Sequence, residues 1–130
     1  MRDFSPPRPS HPRRPTIALI EDDPLVRTAL AIAISDASYD VVSAAGGAEG
    51  LAVLESRPID LAIIDIRIPG RMNGIDIVRE ARRYNPDLRV IFTSGFPPPD
   101  GVNLSALGSF MAKPARVPSL LAEIERRLDD

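Results

Sequence analysis

The sequence predicts an α/β fold in which helices cover both faces of a parallel sheet. From Thr16 onward, short apolar runs alternate with amphipathic stretches, the pattern of strands joined by crossover helices. The clearest run, Leu61–Ile64, ends in Asp65 and is soon followed by the turn residues Pro69 and Gly70. A continuous Leu/Ile run of this kind is typical of a strand buried on both faces. With 130 residues, 44% of them hydrophobic, the chain is long enough for one domain with its own core.

The alternation predicts five strands and four clear helices. Pro24 suits the first position of a helix with Asp23 as its cap, and Asn85-Pro86 ends the third helix. The strands are expected at Thr16–Ile20, Tyr39–Ala44, Leu61–Asp65, Leu88–Thr93 and Ser109–Ala112. The helices are expected from Pro24 to about Ala37, after Gly46-Gly47 to Ser56, from about Gly74 to Arg83 and from near Pro118 to Leu128. The inward faces are expected to be Val26, Ala29, Leu30 and Ala33 in the first helix, and Leu120, Leu121, Ile124 and Leu128 in the last.

Five such strands fit a flavodoxin-like three-layer sandwich with the strand order 2-1-3-4-5. A fourth helix is expected between the last two strands, but Phe96–Leu107 is poor helix material. Pro97, Pro98 and Pro99 remove three backbone donors and push their predecessors out of the α region. We therefore expect a displaced or single-turn fourth helix, or an irregular loop.

Residues 1–15 differ from the domain, which we expect to span residues 16–130. They contain five prolines, four arginines and the only histidine, His11, with almost nothing to bury. This composition predicts a flexible, partly polyproline tail. A passive extension is favoured over a membrane-surface or partner-binding arm, and His11, which lacks ligand-type neighbours, is interpreted as solvated.

Composition excludes several functions. A net charge of −2 does not favour nucleic-acid binding, and without cysteine there is no disulfide framework or thiolate metal site. No apolar run approaches the roughly 20 residues of a membrane span, and the N-terminus has no signal-peptide core. We expect a cytoplasmic protein that binds neither nucleic acid nor membrane directly. It is either a stand-alone protein with no effector domain after Leu128 or a domain excised from a longer protein.

Polar residues follow four of the predicted strands. Glu21-Asp22 follow the first strand, Asp65 ends the third, Ser94 follows the fourth and Lys113 follows the fifth. In open α/β sheets, ligands bind beyond the carboxyl ends of the strands, at the switch point between strands 1 and 3. Asp65 alone could be a simple turn cap, but the shared position of all four groups predicts a site.

Lys113 is a separate signal. The chain has 15 arginines and one lysine, so a lysine at this position suggests that a compact ammonium group is needed. Pro114 follows directly, which makes this bond a natural place for a cis peptide that aims the lysine into the site.

The three acidic residues predict a metal. At ~4 Å and an effective dielectric constant near 20, each close pair of carboxylates costs on the order of 4 kcal/mol. A divalent cation removes that cost, and an all-oxygen site suits Mg²⁺ or Mn²⁺. With a lysine and a hydroxyl group nearby, the suggested reaction is in-line attack of Asp65 on a phosphoryl group. A metal-dependent phosphatase is disfavoured because no general base is evident.

The motifs that carry this site resemble those of the response regulator receiver domain of two-component signalling. They are Ile20-Glu21-Asp22-Asp23, Ile64-Asp65 with Pro69 and Gly74, Phe92-Thr93-Ser94-Gly95, and Phe110-Met111-Ala112-Lys113-Pro114. Phe92–Phe96 also resembles a motif of single-domain regulators in alphaproteobacterial stress pathways. Two departures are that the Pro69–Gly74 loop is one residue longer than the common form and that Phe110 lacks the hydroxyl group of the commoner tyrosine.

The resemblance implies a role for each of these residues. Asp65 would be the phosphoacceptor, served by a phosphohistidine on a sensor histidine kinase or a histidine phosphotransfer protein. Ser94 and Lys113 would contact the phosphoryl oxygens, and Phe110 would pack inward when Ser94 moves. The metal ligands would be Glu21 (through water), Asp22, Asp65 and the backbone carbonyl of Arg67.

Arg67 and Phe96, which lie two residues after Asp65 and Ser94, would flank the phosphoryl group and gate attacking water. The domain would catalyse only its own phosphorylation and slow autodephosphorylation. It would signal to an unknown downstream protein through the surface of the fourth helix, the fifth strand and the last helix. The alternative is a pseudo-receiver, which keeps the fold as a protein-binding module and never carries phosphate.

Overall fold

The computed structural model describes residues 14–129 and contains one five-stranded sheet. The strands are β1 (Thr16–Ile20), β2 (Asp40–Ala44), β3 (Leu61–Asp65), β4 (Arg89–Ser94) and β5 (Ser109–Ala112). Their order is β2-β1-β3-β4-β5, and every neighbouring pair is parallel. The predicted α/β sandwich and its strand order are therefore confirmed.

Four α-helices surround the sheet: α1 (Pro24–Asp36), α2 (Gly47–Ser56), α3 (Gly74–Ala81) and α4 (Val117–Leu128). Local sequence explains where α1 and α3 begin. The Asp23 carboxylate accepts hydrogen bonds from the first turn of α1, and Asn73 forms a reciprocal capping box with Asp76 at the start of α3. The predicted bounds are close, although α3 ends at Ala81 rather than near Arg83.

Two hydrophobic cores lie on opposite faces of the sheet, as a three-layer sandwich requires. One core packs α2 and α3 against side chains such as Ile20, Ile64 and Phe92. The other packs α1 and α4 against the alternate strand residues, including Leu19 and Ile63. All five residues of β3 are buried, so the central strand contributes to both cores.

The structure corrects the predicted inner face of α1. Ala29 is exposed, and Ile34, which the prediction omitted, is the fully buried residue of this helix. The reason is that α1 is apolar on more than one side, since Leu25 and Ile32 are also exposed. Periodicity alone could not select one face. In α4 the expected Leu120 and Ile124 are fully buried.

A single 3-10 turn, Leu104–Ala106, replaces the fourth helix of the expected pattern. Buried Leu104 anchors this turn, whereas residues 95–101 are all exposed. The expected shortening of this helix is confirmed.

The N-terminal part of the chain is described only from Arg14. The Arg14 guanidinium donates to the carbonyl of Ser35 at 3.1 Å, and the Asp40 amide donates to the carbonyl of Pro15 at 2.9 Å. The prediction for the rest of the tail, including His11, lies outside the described residues. No helix in the described part of the chain is long and apolar enough to cross a bilayer.

Candidate functional site

The carboxyl edge of the sheet brings together three carboxylates. Glu21 follows β1 and Asp65 ends β3, and the register of these adjacent strands pairs Ile20 with Ile64. Asp22 completes the group, and one carboxylate oxygen from each residue lies within 4.8 Å of the other two. Glu21 is 2% exposed and Asp65 is 5% exposed, so two of the three charges are almost removed from water.

Lys113 lies between the two buried carboxylates. Its ammonium donates to Asp65 Oδ2 at 2.8 Å and also to Glu21 Oε1. Burial by itself would lower the pKa of Lys113, but hydrogen bonds to Asp65 and Glu21 outweigh burial and raise it. Lys113 therefore stays protonated and compensates part of the repulsion on which the sequence argument rested. The Lys113–Pro114 peptide bond is cis, as expected.

Burial raises the pKa of the Glu21 carboxyl group, and the hydrogen bond from Lys113 opposes this rise. Arg27, in the first turns of α1, stabilises the same loop because its guanidinium donates to the carbonyl of Glu21 at 2.9 Å. Sequence reasoning missed this supporting arginine. The only available signal was its position four residues after the cap, Asp23.

The loop after β3 fixes the second oxygen of Asp65. The Arg67 amide donates to Asp65 Oδ1 at 3.0 Å, and the Gly74 amide donates to the carbonyl of Ile66 at 2.8 Å. A Cβ at position 74 would lie only 2.4 Å from the carbonyl oxygen of Asp65. Glycine is needed here because the start of α3 passes directly against the end of β3.

Ser94 lies at the same edge of the sheet, since Asp65 pairs with Thr93 across β3 and β4. It is 2% exposed, and its Oγ accepts a hydrogen bond from the Phe96 amide at 3.1 Å. The Phe96 ring in turn stacks on Arg67, whose Cζ lies 3.9 Å from the ring centroid. Arg67 and Phe96, the two residues predicted to gate water, are therefore in contact with one another.

Phe110, the predicted switch residue, lies in β5 and is 37% exposed. Beside it, Ser109 donates to the buried carboxylate of Glu123 in α4 at 2.8 Å, and Arg126 and Arg127 also donate to that carboxylate. Sequence reasoning missed this buried cluster, although Glu123 and Arg127 have the spacing of a helical ion pair.

The acidic group fits a hard divalent cation. Its ligands are oxygens only, and Asp22 is exposed on the solvent side of the group. Mg²⁺ and Mn²⁺ prefer such ligands and retain water molecules in the remaining positions. Three of the predicted ligands, Glu21, Asp22 and Asp65, thus lie in one group that could hold such an ion.

The strand order and the acidic group at this edge of the sheet define a class, the flavodoxin-like α/β domains with an acidic site beyond the carboxyl ends of their strands. Comparison with known proteins then assigns the family. Residues 17–125 match the family model described as the response regulator receiver domain. The chain belongs to this family.

This chain matches a small part of some longer relatives and nearly the whole length of a shorter one. The transcriptional regulatory protein GlrR of Escherichia coli K12 is 33% identical over 125 residues, which cover 94% of this chain but only 27% of GlrR. The response regulator receiver protein CpdR of Brucella abortus is 34% identical over 116 residues, covering 86% of this chain and 95% of CpdR. Sensor kinases also match, among them CckA of Brucella abortus, at 35% identity over 62% of this chain and 9% of CckA.

Solved structures agree with the fold. A CheY-like receiver domain protein from Methanospirillum hungatei superposes with a TM-score of 0.83 at 27% identity, covering 89% of this chain and 94% of that one. The receiver domain of the hybrid histidine kinase CckA superposes with a TM-score of 0.75 at 30% identity, covering 87% and 98%.

Proposed function

We propose that this chain is a phosphoacceptor in a two-component phosphorelay, with Asp65 as the acceptor. The observation that carries the proposal is the position of Asp65. Its carboxylate is 5% exposed, lies within an acidic group suited to a divalent cation, and has the Lys113 ammonium 2.8 Å away. The donor would be a phosphohistidine on a sensor histidine kinase or a histidine phosphotransfer protein.

The transfer would be an in-line displacement at phosphorus. As a carboxylate oxygen of Asp65 bonds to phosphorus, the P–N bond of the phosphohistidine breaks and the imidazole keeps the electron pair. Lys113 and Ser94 would hold the phosphoryl oxygens. Glu21, Asp22, Asp65 and the Arg67 carbonyl would bind Mg²⁺ or Mn²⁺, which neutralises charge on the transferring group when bound.

The donor must dock beside Asp65, and an apolar groove lies there. A cavity of about 530 Å³ runs between α1 and the loop after β5, lined by residues that include Val26, Leu30, Lys113 and Val117. At the start of α1, Leu25 is 81% exposed. We infer that a helix of the phosphodonor packs against this face. A sensor kinase as phosphodonor would place the chain in the cytoplasm.

Output would involve the segment that replaces the fourth helix. Ser94 leads directly into residues 95–101, which are exposed, and Phe110 lies in the neighbouring edge strand β5. A shift of Ser94 toward the phosphoryl group would move the exposed segment 95–101 with it. This movement would allow Phe110 to turn inward. The downstream partner would then recognise this segment together with β5 and α4.

Intact mass tests the proposal. After incubation with acetyl phosphate and Mg²⁺, we expect a gain of one phosphoryl group, which is lost in Asp65→Asn and kept in the exposed control Asp87→Asn. No gain in the wild-type protein would favour the pseudo-receiver. Turnover of the donor without an adduct would instead indicate a phosphatase.

Hydrogen exchange tests the output route. We expect amides from Asp100 to Asn103 to exchange rapidly in the free protein and more slowly with the phosphoryl mimic beryllofluoride. Strong protection in the free protein that the mimic leaves unchanged would contradict this route.

A further inference from the structure

We propose that Phe96 is a positioning residue whose ring holds the Arg67 guanidinium across the mouth of the site. The two side chains would then act as a single cover over the phosphoryl group and not as two independent gates. The kinetic consequence of this inference rests on the proposed function, whereas the contact itself can be tested without phosphate.

The contact is close and joins two separate loops. The Arg67 Cζ lies 3.9 Å from the centroid of the Phe96 ring, well inside the roughly 6 Å within which a cation is attracted to a ring face. Arg67 belongs to the loop after β3, and Phe96 belongs to the segment after β4. Both side chains are exposed, with Phe96 54% accessible, so the pair lies at the surface above a buried acceptor.

The same two residues are also attached to the site through their backbones. The Arg67 amide donates to Asp65 Oδ1 at 3.0 Å, and the Phe96 amide donates to Ser94 Oγ at 3.1 Å. The stacked side chains therefore complete a chain of contacts that runs from Asp65 through Arg67 and Phe96 to Ser94. A movement of Asp65 or Ser94 would therefore also shift the backbone of Arg67 or Phe96, and with it the stacked pair.

Phe96 is well suited to hold its partner in place. Pro97 follows directly, and a residue before proline is restricted to extended backbone conformations. The backbone from which the ring projects therefore has few conformations available. The guanidinium is planar, so it can stack on the ring through its face while its N–H groups donate from its edge. Stacking on Phe96 and donating to a phosphoryl oxygen are therefore compatible, and Phe96 would set the orientation of the donating edge.

The cover would slow hydrolysis of the aspartyl-phosphate. In that reaction the oxygen of water bonds to phosphorus, the P–O bond to Asp65 breaks, and a proton of the water goes to the released phosphate. The water must approach from the side opposite the Asp65 oxygen, which is the solvent side where the pair lies. A guanidinium held at this position would both occupy the path and bind the phosphoryl oxygens.

Rates of phosphate loss test the coupling. Phe96→Leu keeps an apolar side chain of similar bulk but removes the π face, whereas Phe96→Tyr keeps the face. We expect Phe96→Leu to hydrolyse about two- to fivefold faster than the wild type, the factor that an exposed cation–π contact can supply. Phe96→Tyr should restore a rate close to that of the wild type.

The double variant separates a single cover from two gates. In an Arg67→Gln background, adding Phe96→Leu should change the rate no further, because the interaction is already lost. If the double variant instead shows the product of the two single effects, the residues gate independently and the inference is wrong. Thermal melting of each variant checks that the fold is intact.

NMR of the phosphate-free protein provides an independent measurement. The Arg67 Nε–H resonance should show an upfield ring-current shift that Phe96→Leu abolishes and Phe96→Tyr keeps. A resonance that is the same in the wild type and Phe96→Leu would overturn the inference. Failure to take up phosphate would refute the proposed function, while this measurement would still decide whether the pair exists.

Discussion

At the scale of single residues, Lys113 shows how one cation makes a buried acidic site tolerable. Three converging carboxylates would repel, and two of them are almost excluded from water. Lys113 donates to both buried carboxylates, so the free site holds charge of both signs. A bound metal would therefore meet carboxylates whose negative charge Lys113 already partly neutralises.

Replacing Lys113 with Met should therefore destabilise the protein in EDTA. Removing one partner of a buried ion pair leaves an unpaired charge, but the Lys113 side chain is 25% exposed, and solvent screening reduces the cost. We expect the free energy of unfolding in urea to fall by roughly 1–3 kcal/mol.

Mg²⁺ should raise the melting temperature of this variant more than that of the wild type, because the metal replaces the missing charge. The exposed control Arg79→Met should remain within about 0.5 kcal/mol of the wild type. A Lys113→Met protein that is as stable as the wild type in EDTA would contradict this account.

Glu123 makes a second residue-scale prediction, this time on pH. Burial alone would raise the pKa of Glu123, but hydrogen bonds from Arg126, Ser109 and Arg127 outweigh burial and lower it. A carboxyl group with a lowered folded-state pKa stabilises the fold above its unfolded pKa, and this stability is lost as the pH falls through the folded-state value.

Glu123→Gln should thus melt at a lower temperature than the wild type at pH 7. The difference should shrink below about pH 4.5, where the wild type loses the charge contribution. Melting curves from pH 7 to pH 3 measure this, with the exposed Glu55→Gln as the matched control. If the difference in melting temperature between the wild type and Glu123→Gln stayed constant across that range, the charge of the Glu123 carboxylate could not be its cause.

At the scale of elements, close packing of α3 against β3 places the loop of the site. The capping box at Asn73 and Asp76 starts α3 immediately after that loop. Gly74 permits the approach, since the nearest atom to an added Cβ would be the carbonyl oxygen of Asp65 at 2.4 Å. The position of Asp65 is thus coupled to the start of α3, a helix that contributes no side chain to the site.

Gly74→Ala should be costly because backbone atoms must move to admit the methyl group. We expect a loss of roughly 1–3 kcal/mol in the free energy of unfolding, as for other overpacked positions, together with slower phosphorylation. Gly95→Ala is the control, since an added Cβ at that position would meet nothing within 4 Å. If the two variants were equally stable in urea, the backbone at the start of α3 would be able to move and admit the methyl group without cost.

At the scale of the whole molecule, a rigid sheet carries a site at one edge and a loosely packed segment beside it. Both faces of the sheet are covered, by α2 and α3 on one side and α1 and α4 on the other. The segment from residue 95 to residue 101 is exposed throughout. We therefore expect phosphorylation of Asp65 and a shift of Ser94 to reorder this segment and to leave the two hydrophobic cores intact.

Metal binding should stabilise the whole domain, since the metal binds the folded acidic group and not the unfolded chain. When Mg²⁺ exceeds its Kd by ten- to a hundredfold, the gain is roughly 1 to 3 kcal/mol. The melting temperature of an EDTA-treated sample should rise on addition of Mg²⁺ and should rise less in Asp22→Asn. A melting temperature that ignores Mg²⁺ would contradict the metal site.

The sequence by itself determined the strand order, the shortened fourth segment and the residues that gather at the carboxyl edge. These follow from general rules, because apolar periodicity identifies strands and the carboxyl ends of parallel strands meet at one edge. Pro97–Pro99 likewise exclude a normal helix through local sterics. Asp65, Glu21, Asp22 and Lys113 could be grouped before any distance was known.

Only the tertiary structure decided which side chains meet. Ile34 and not Ala29 is buried in α1, because a helix that is apolar on several sides takes its orientation from the sheet and from α4. Lys113 pairs with Asp65, which lies 48 residues away in sequence, and Arg67 stacks on Phe96 from a different loop. Such contacts depend on loop placement and side-chain direction, which long-range packing sets and local sequence patterns do not encode.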